Sequence, residues 1–197
     1  PLAIVDIPTL RMCDTDLDGD DTNGFTEFDL TSRESFILSG SVATNFQVNY
    51  FTDAAYTNQI SNPTSFVNTI QNIQEIYVRI HYNAEVSCYT DRSFSIQVDA
   101  LPIVESSVIF KNCDGDANPN DGFTDFNLNE VNDVITNGNS TNLKFTYYLD
   151  YDDADSKGGE INAMPFNNVT AHTIFVRVEN ANGCYRISTV DLQVSTT

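Results

Sequence analysis

The sequence predicts an all-β fold: two tandem Ig-like β-sandwich domains in an elongated arrangement. Three observations predict it: an internal repeat of about one hundred residues, short apolar runs of period two, and a composition rich in strand and turn formers.

The repeat comes first. Arg11-Met12-Cys13-Asp14 matches Lys111-Asn112-Cys113-Asp114, and Asn23-Gly24-Phe25-Thr26-Glu27-Phe28-Asp29-Leu30 matches Asp121-Gly122-Phe123-Thr124-Asp125-Phe126-Asn127-Leu128. Asn49-Tyr50-Phe51 matches Tyr147-Tyr148-Leu149, Ile76-Tyr77-Val78-Arg79-Ile80 matches Ile174-Phe175-Val176-Arg177-Val178, and Ser87-Cys88-Tyr89 matches Gly183-Cys184-Tyr185. The offsets run 100, 98, 98, 98 and 96, and the drift marks small insertions and deletions in loops. The boundary falls near Asp99-Ala100-Leu101-Pro102, giving domains 1–100 and 101–197. Pro102 cannot donate a ladder hydrogen bond and suits an inter-domain step. So short a joint predicts a stiff connection.

The strands follow from alternation. Phe46 to Phe51 has period two, Ile76, Val78 and Ile80 face one way, and Phe94, Ile96 and Val98 share a face. In the second repeat 143–147, 174–178 and 190–194 behave alike. Two segments, 30–38 and 128–136, carry apolar residues at spacings that suit a helical turn as well as a strand, and both readings stand at this point.

The chain has 28 acidic and 9 basic residues, a formal charge of −19. Such a surface repels nucleic acid and anionic lipid and suits solubility or multivalent cations. No apolar run is long enough to cross a membrane as a helix. The chain begins mid-pattern at Pro1, without a signal peptide, and reads as an excised piece.

The four cysteines lie two per repeat at equivalent places, which reads as one bridge within each module, Cys13 with Cys88 and Cys113 with Cys184. Reduced, buried thiols are the alternative; a four-cysteine zinc site lacks the ligand spacing. Each bridge would contribute roughly 4 kcal/mol by closing a loop of some seventy residues, and would place the protein outside a reducing cytoplasm.

After Cys13 the sequence places Asp14, Asp16, Asp18, Asp20 and Asp21 around Gly19, five carboxylates within eight residues. Alternate Asp followed by Gly is how a short loop wraps oxygen ligands around Ca²⁺. The likeness to an EF-hand stops at Gly19, because Phe25 stands where a bidentate Glu is needed. Glu27 or Asp29 could complete the shell. The second copy offers Asp114, Asp116, Asn118, Asn120 and Asp121, with Asp125 at the place of Glu27, and its missing charges predict weaker binding. Expected dissociation constants are on the order of 10⁻⁴–10⁻³ M. The competing reading is an Asx-rich turn capping its own backbone without metal. Another acidic run, Asp150, Asp152, Asp153 and Asp155, has no counterpart in the first repeat and reads as a solvated turn.

Nothing in the sequence assembles an enzyme. His81 and His172 are not equivalent, and no nucleophile, metalloprotease, phosphate-loop or dinucleotide motif appears. Asn139-Ser140-Thr141 and Asn168-Val169-Thr170 match the N-glycosylation pattern, a weak signal in so Asn- and Thr-rich a chain.

The residues that recur most specifically are Cys13-Asp14, Gly24-Phe25, Phe28-Asp29-Leu30, Ile76-Tyr77-Val78-Arg79 and Cys88-Tyr89, with their partners in the second repeat. This pattern resembles the repeats of very large cell-surface and secreted proteins of Bacteroidota, flavobacteria above all, similar to gliding-motility adhesins exported by type IX secretion. It covers nearly all of both repeats, departing at Ser87 against Gly183 and at Asn127 against Asp29. The resemblance implies display outside the cell and an adhesion or stalk role. Partners would be neighbouring repeats of the same chain, and surface glycans or other cell-surface proteins. The expected function is a calcium-stabilised, non-enzymatic adhesin segment. Alternatives are a carbohydrate-binding accessory module of a secreted polysaccharide-degrading enzyme, or a passive spacer.

Overall fold

The computed structural model describes residues 6–115, 118 and 121–195. The chain divides into two compact units between Ala100 and Leu101. Each is mostly β and sandwich-like.

In the first unit, β1 (Leu10–Cys13), β6 (Glu85–Asp99), β5 (Ile73–Tyr82) and β3 (Phe46–Phe51) form one sheet in the order β1-β6-β5-β3. β1 runs parallel to β6, and the other pairs are antiparallel. Alternation decides which face is inside: Ile76, Val78 and Ile80 of β5 and Phe94, Ile96 and Val98 of β6 are buried, with polar residues between them facing out. The opposite layer is thin. A two-stranded ladder, β2 (Glu27–Phe28) with β4 (Phe66–Val67), pairs Phe28 with Phe66, and the chain then turns into a 3₁₀ segment, Leu30–Arg33, and α1 (Glu34–Ile37). Phe28, Leu30 and Ile37 are fully buried under the sheet. The ambiguous segment 30–38 is thus helical. Asp29 starts it by accepting the Thr31 N–H at 3.0 Å, so this carboxylate caps a turn.

The second unit repeats the plan. β7 (Ser107–Cys113), β8 (Asp125–Phe126), β9 (Lys144–Tyr148), β10 (Phe166–Asn167), β11 (Thr173–Glu179) and β12 (Tyr185–Ser195) give a sheet ordered β7-β12-β11-β9 and a ladder of β8 with β10. A 3₁₀ segment, Leu128–Val131, and α2 (Asn132–Ile135) supply the cover, with Phe126, Leu128, Val131 and Ile135 inside. Asn127 caps this turn as Asp29 does, accepting the Asn129 N–H at 3.3 Å. The difference lies after β9. The acidic run there folds into α3 (Tyr151–Ser156), where the first unit has a non-helical turn. Asp150 is its N-cap, accepting N–H groups of Asp152 and Asp153 at 2.8 and 3.4 Å, and Asp152 and Asp153 sit where the helix dipole favours carboxylates.

Candidate functional site

The informative positions are the two ends of each main sheet, because each end carries a cysteine. In the first unit Cys13 is the last residue of β1 and lies opposite Asp99, the last of β6. Cys88 stands eleven residues earlier on β6, roughly 36 Å away at the ~3.3 Å rise of a strand. The second unit has the same layout: Cys113 is opposite Ser195 at the end of β12, and Cys184 immediately precedes β12 at its other end. A disulfide needs Cα atoms within about 7 Å. The expected bridges within each module are therefore corrected. Cys13 and Cys184 are disulfide-bonded, whereas Cys88 and Cys113 are exposed free thiols.

Cys13 is seated firmly. Beside it, Arg11 makes a bidentate contact with Asp99, Nε to Oδ2 at 2.9 Å and Nη2 to Oδ1 at 2.5 Å, and donates to Gln97 at 3.2 Å. Asp99 is buried and Arg11 half-exposed, so the pair ties β1 to β6 where the chain leaves the unit. At the other end, Cys184 is fully buried, with its N–H donated to the Asn180 side chain at 3.1 Å. Cys88, its equivalent, lines a recess of about 480 Å³ with Phe46, Ile80, Tyr82 and Tyr89.

The acidic loops follow directly after Cys13 and Cys113. Asp14 is buried; its Oδ1 accepts the Thr15 N–H at 2.9 Å and its Oδ2 the Gly24 N–H at 2.8 Å. Gly24 has φ +76° and a Cβ there would fall 2.2 Å from Asn72 Oδ1, so the position requires glycine. Asp18 accepts from Asp20 N–H and from Asn23 at 3.2 and 2.7 Å. Asp20 accepts the N–H and hydroxyl of Thr22, and these bonds hold its carboxyl below the usual range. Glu27 is bonded to the Ser65 hydroxyl across the small ladder.

In the second loop Asp114 Oδ2 accepts the Gly122 N–H at 2.9 Å, while its Oδ1 is buried with no hydrogen-bond partner among the described residues. Asn118 donates to Asp121 at 3.0 Å, and Asp125 accepts from Asn167 at 2.9 Å. Asp116 and Asn120 lie outside the described residues. Asp16 and Asp21 are on the first loop, but among the described residues no three His, Cys, Asp or Glu side chains gather as metal ligands.

Sequence reasoning missed the asparagine that closes each loop. Asn68 is buried, accepts the Thr26 N–H at 2.8 Å and donates to the Gly24 and Ile70 carbonyls at 2.8 and 2.9 Å. Asn168 accepts the Thr124 N–H at 2.8 Å and donates to the Gly122 carbonyl at 3.1 Å. Its burial makes the Asn168-Val169-Thr170 match a structural motif rather than a glycan acceptor. The signal was Phe66-Val67-Asn68 against Phe166-Asn167-Asn168 at the same offset of 100 as the first cysteines.

A third feature is an arginine on the outer face of each sheet. Arg79 donates to Asp91 at 2.8 and 2.7 Å, between the rings of Tyr56 and Tyr89 at 4.0 and 4.2 Å. Arg177 is buried over Tyr185 at 3.2 Å and donates to the Ala154 and Asp155 carbonyls of α3 at 3.0 and 2.8 Å and to Glu179 at 3.1 Å. No helix in the described residues is long and apolar enough to cross a membrane.

Residues 9–102 and 109–197 each match the family described as the Flavobacterium inter-domain disulphide bond domain. None of the curated proteins matches. Among solved structures, human mucin-like protocadherin EC1-2 is 12% identical, with 79% of this chain and 86% of that one covered and a TM-score of 0.24. The immunoglobulin domains 1–4 of Sidekick-1 are 10% identical over 99% and 47%, TM-score 0.28. The Bacteroides ovatus protein SGBP-B, solved with a mixed-linkage heptasaccharide, is 10% identical over 97% and 44%, TM-score 0.24. At such scores these likenesses carry no argument about function.

Proposed function

The chain belongs to the Flavobacterium inter-domain disulphide bond domain family, and from that premise we propose that it is a non-enzymatic structural segment of a larger surface or secreted protein, with Cys13 and Cys184 joined to each other so that a disulfide braces consecutive repeats. One observation carries this reading. The two bonded cysteines are the first of one repeat and the second of the next, and the other two are thiols. A bridge of this kind supplements the short peptide joint near Pro102 with a second covalent link, and two links restrict hinging far more than one. That is the property a stalk or adhesin shaft needs. The chemistry requires assembly outside a reducing cytoplasm, which accords with export to the cell surface. Protease digestion without reduction, followed by mass spectrometry, tests it: a Cys13–Cys184 peptide is expected, and Cys13–Cys88 or Cys113–Cys184 peptides would overturn it.

A second proposal concerns Ca²⁺ at the acidic loops, and it is favoured by the unpartnered, buried Asp114 Oδ1. A buried carboxylate oxygen without a donor is costly unless a cation or water satisfies it. In the first loop the equivalent oxygen is already used by Thr15, and the Asp18 and Asp20 carboxylates cap their own turn. The proposed order of affinity is therefore the reverse of the one charge counting gave. Calorimetric titration of the chain and its Asp114→Asn variant with Ca²⁺ tests this. Heat that vanishes in the variant supports it, and heat unchanged by the variant sinks it.

A further inference from the structure

We infer that the outer face of the first unit's main sheet is a saccharide-binding groove, one that takes a neutral polysaccharide chain on Gln47, Asn49, Gln59 and Tyr89. It is independent of the disulfide and Ca²⁺ readings above, since every residue involved lies on β3, β5, β6 or the turn that follows β3.

The strand register builds the floor. Gln47 lies opposite His81 and His81 opposite Tyr89; in the adjacent row Asn49 lies opposite Arg79 and Arg79 opposite Asp91. These residues alternate with buried Tyr50, Val78 and Ile80, so they stand on the outer face. Gln59 joins them from the turn, bridging to Phe51 through the backbone and donating its Nε2 to Asn49 Oδ1 at 3.2 Å. The recess they line has a volume of about 410 Å³. Strand spacing and rise make the patch roughly 10 by 7 Å, the scale of a sugar ring and its linkages.

The second unit shows what such a face looks like when covered. There Phe175, Arg177 and Tyr185 hold the places of Tyr77, Arg79 and Tyr89, and α3 is seated on all three. Tyr151 meets Phe175 edge to face at 5.9 Å, Arg177 donates to the Ala154 and Asp155 carbonyls, and Tyr185 donates to the Asp155 carboxylate at 2.5 Å. Thr146, across from Arg177, is buried. In the first unit Asn49, across from Arg79, is half-buried, and Gln47 and Gln59 are exposed.

The chemistry of the open face selects its occupant. A helix is disfavoured, because Arg79 spends Nε and Nη2 on Asp91 and Phe51 is already covered by Tyr56. An anionic chain gains little, because Asp91 offsets the charge of Arg79 in a protein of formal charge −19. What remains is amide. Asn49 Nδ2, Gln59 Oε1 and the Gln47 amide have no partner among the described residues. Amides donate and accept, as sugar hydroxyls do. Tyr89 is 55% exposed and its ring is held on Arg79 at 4.2 Å, so an aromatic surface is fixed before a ligand arrives. An aromatic ring beside amides matches a pyranose, which has an apolar C–H face and a rim of hydroxyls.

Affinity electrophoresis of the full chain in native gels containing laminarin, xyloglucan, galactomannan or soluble starch, with alginate as the acidic comparison, tests this. Retardation by at least one neutral polysaccharide is expected. Asn49→Ala and Gln59→Ala should each weaken it roughly fivefold, the scale of one neutral hydrogen bond. Tyr89→Ala should weaken it roughly tenfold. Gln193→Ala, on the outer face of the second unit's sheet, should leave it unchanged. Melting temperatures separate lost binding from lost folding, and the two amide variants decide the outcome where Tyr89→Ala is destabilised. No retardation by any neutral polysaccharide overturns the inference. So does retardation by alginate alone, or retardation that both amide variants leave intact. Self-association in sedimentation that Asn49→Ala abolishes would assign the groove to a second copy and overturn it as well.

Discussion

Arg79 and Arg177 sit at the same place in the same strand motif, yet one is partly exposed and the other is sealed. Their side chains are 26% and 5% exposed. Both stack on the tyrosine that follows a cysteine, Tyr89 or Tyr185. The acid differs: Asp91 on β6 pairs with Arg79, whereas Glu179, at the position of His81, pairs with Arg177 together with Lys157 at 2.7 Å. The decisive difference is the connection after the third strand of each unit, β3 or β9. In the first unit Asp53 folds a tight turn by accepting the N–H groups of Thr57 and Asn58. In the second unit that connection is α3, whose last carbonyls need donors and receive them from Arg177. The strand motif aims the arginine outward, and the neighbouring connection decides whether it becomes structural.

Arg177→Ala should therefore be the most damaging of the substitutions that probe this contrast. It leaves two carbonyls of α3 without their donor in a buried setting and Glu179 with Lys157 alone, a loss of about 3 kcal/mol in the stability of the second unit by urea denaturation. Equal sensitivity at Arg79→Ala would break the comparison. Next, Asn68→Ala and Asn168→Ala should each cost about 2 kcal/mol, because both orphan buried backbone groups of an acidic loop. These two sites are the control in which the repeats should respond alike.

A smaller effect should appear with pH. The Lys157 ammonium foremost, helped by Arg177 and opposed by burial, holds the Glu179 carboxyl below its usual range. A pKa lower in the folded state means stability that is fully present above the ordinary carboxylate range and is lost as pH falls through the folded value. Acidification should lower the second unit's melting temperature more in the native chain than in Glu179→Gln. Arg79→Ala should change least, near the scatter of surface substitutions, since its pair with Asp91 is solvated.

Much of this was legible in the sequence. Period-two runs at Phe46–Phe51 and around Ile76 and Phe94 are strands with the expected residues inside, because alternation is a local property that burial of one face enforces. The loop motif was legible as a loop, and its first aspartate as a special position. The second layer was not: Phe28 and Phe66 pair across a ladder of two residues per strand, too short to show a period. Nor was α3, because its acidic run is as suited to a turn as to a capped helix until Arg177 meets its end.

The sequence by itself determined the duplication, the β character and the equivalence of the cysteines, since each is a matter of spacing and residue type along one chain. Tertiary structure alone decided which cysteines can meet. Two thiols assigned to one module are separated by the length of a strand, and no property of the linear spacing reports that distance, because β1 runs parallel to β6 and leaves Cys13 beside Asp99 instead of Cys88.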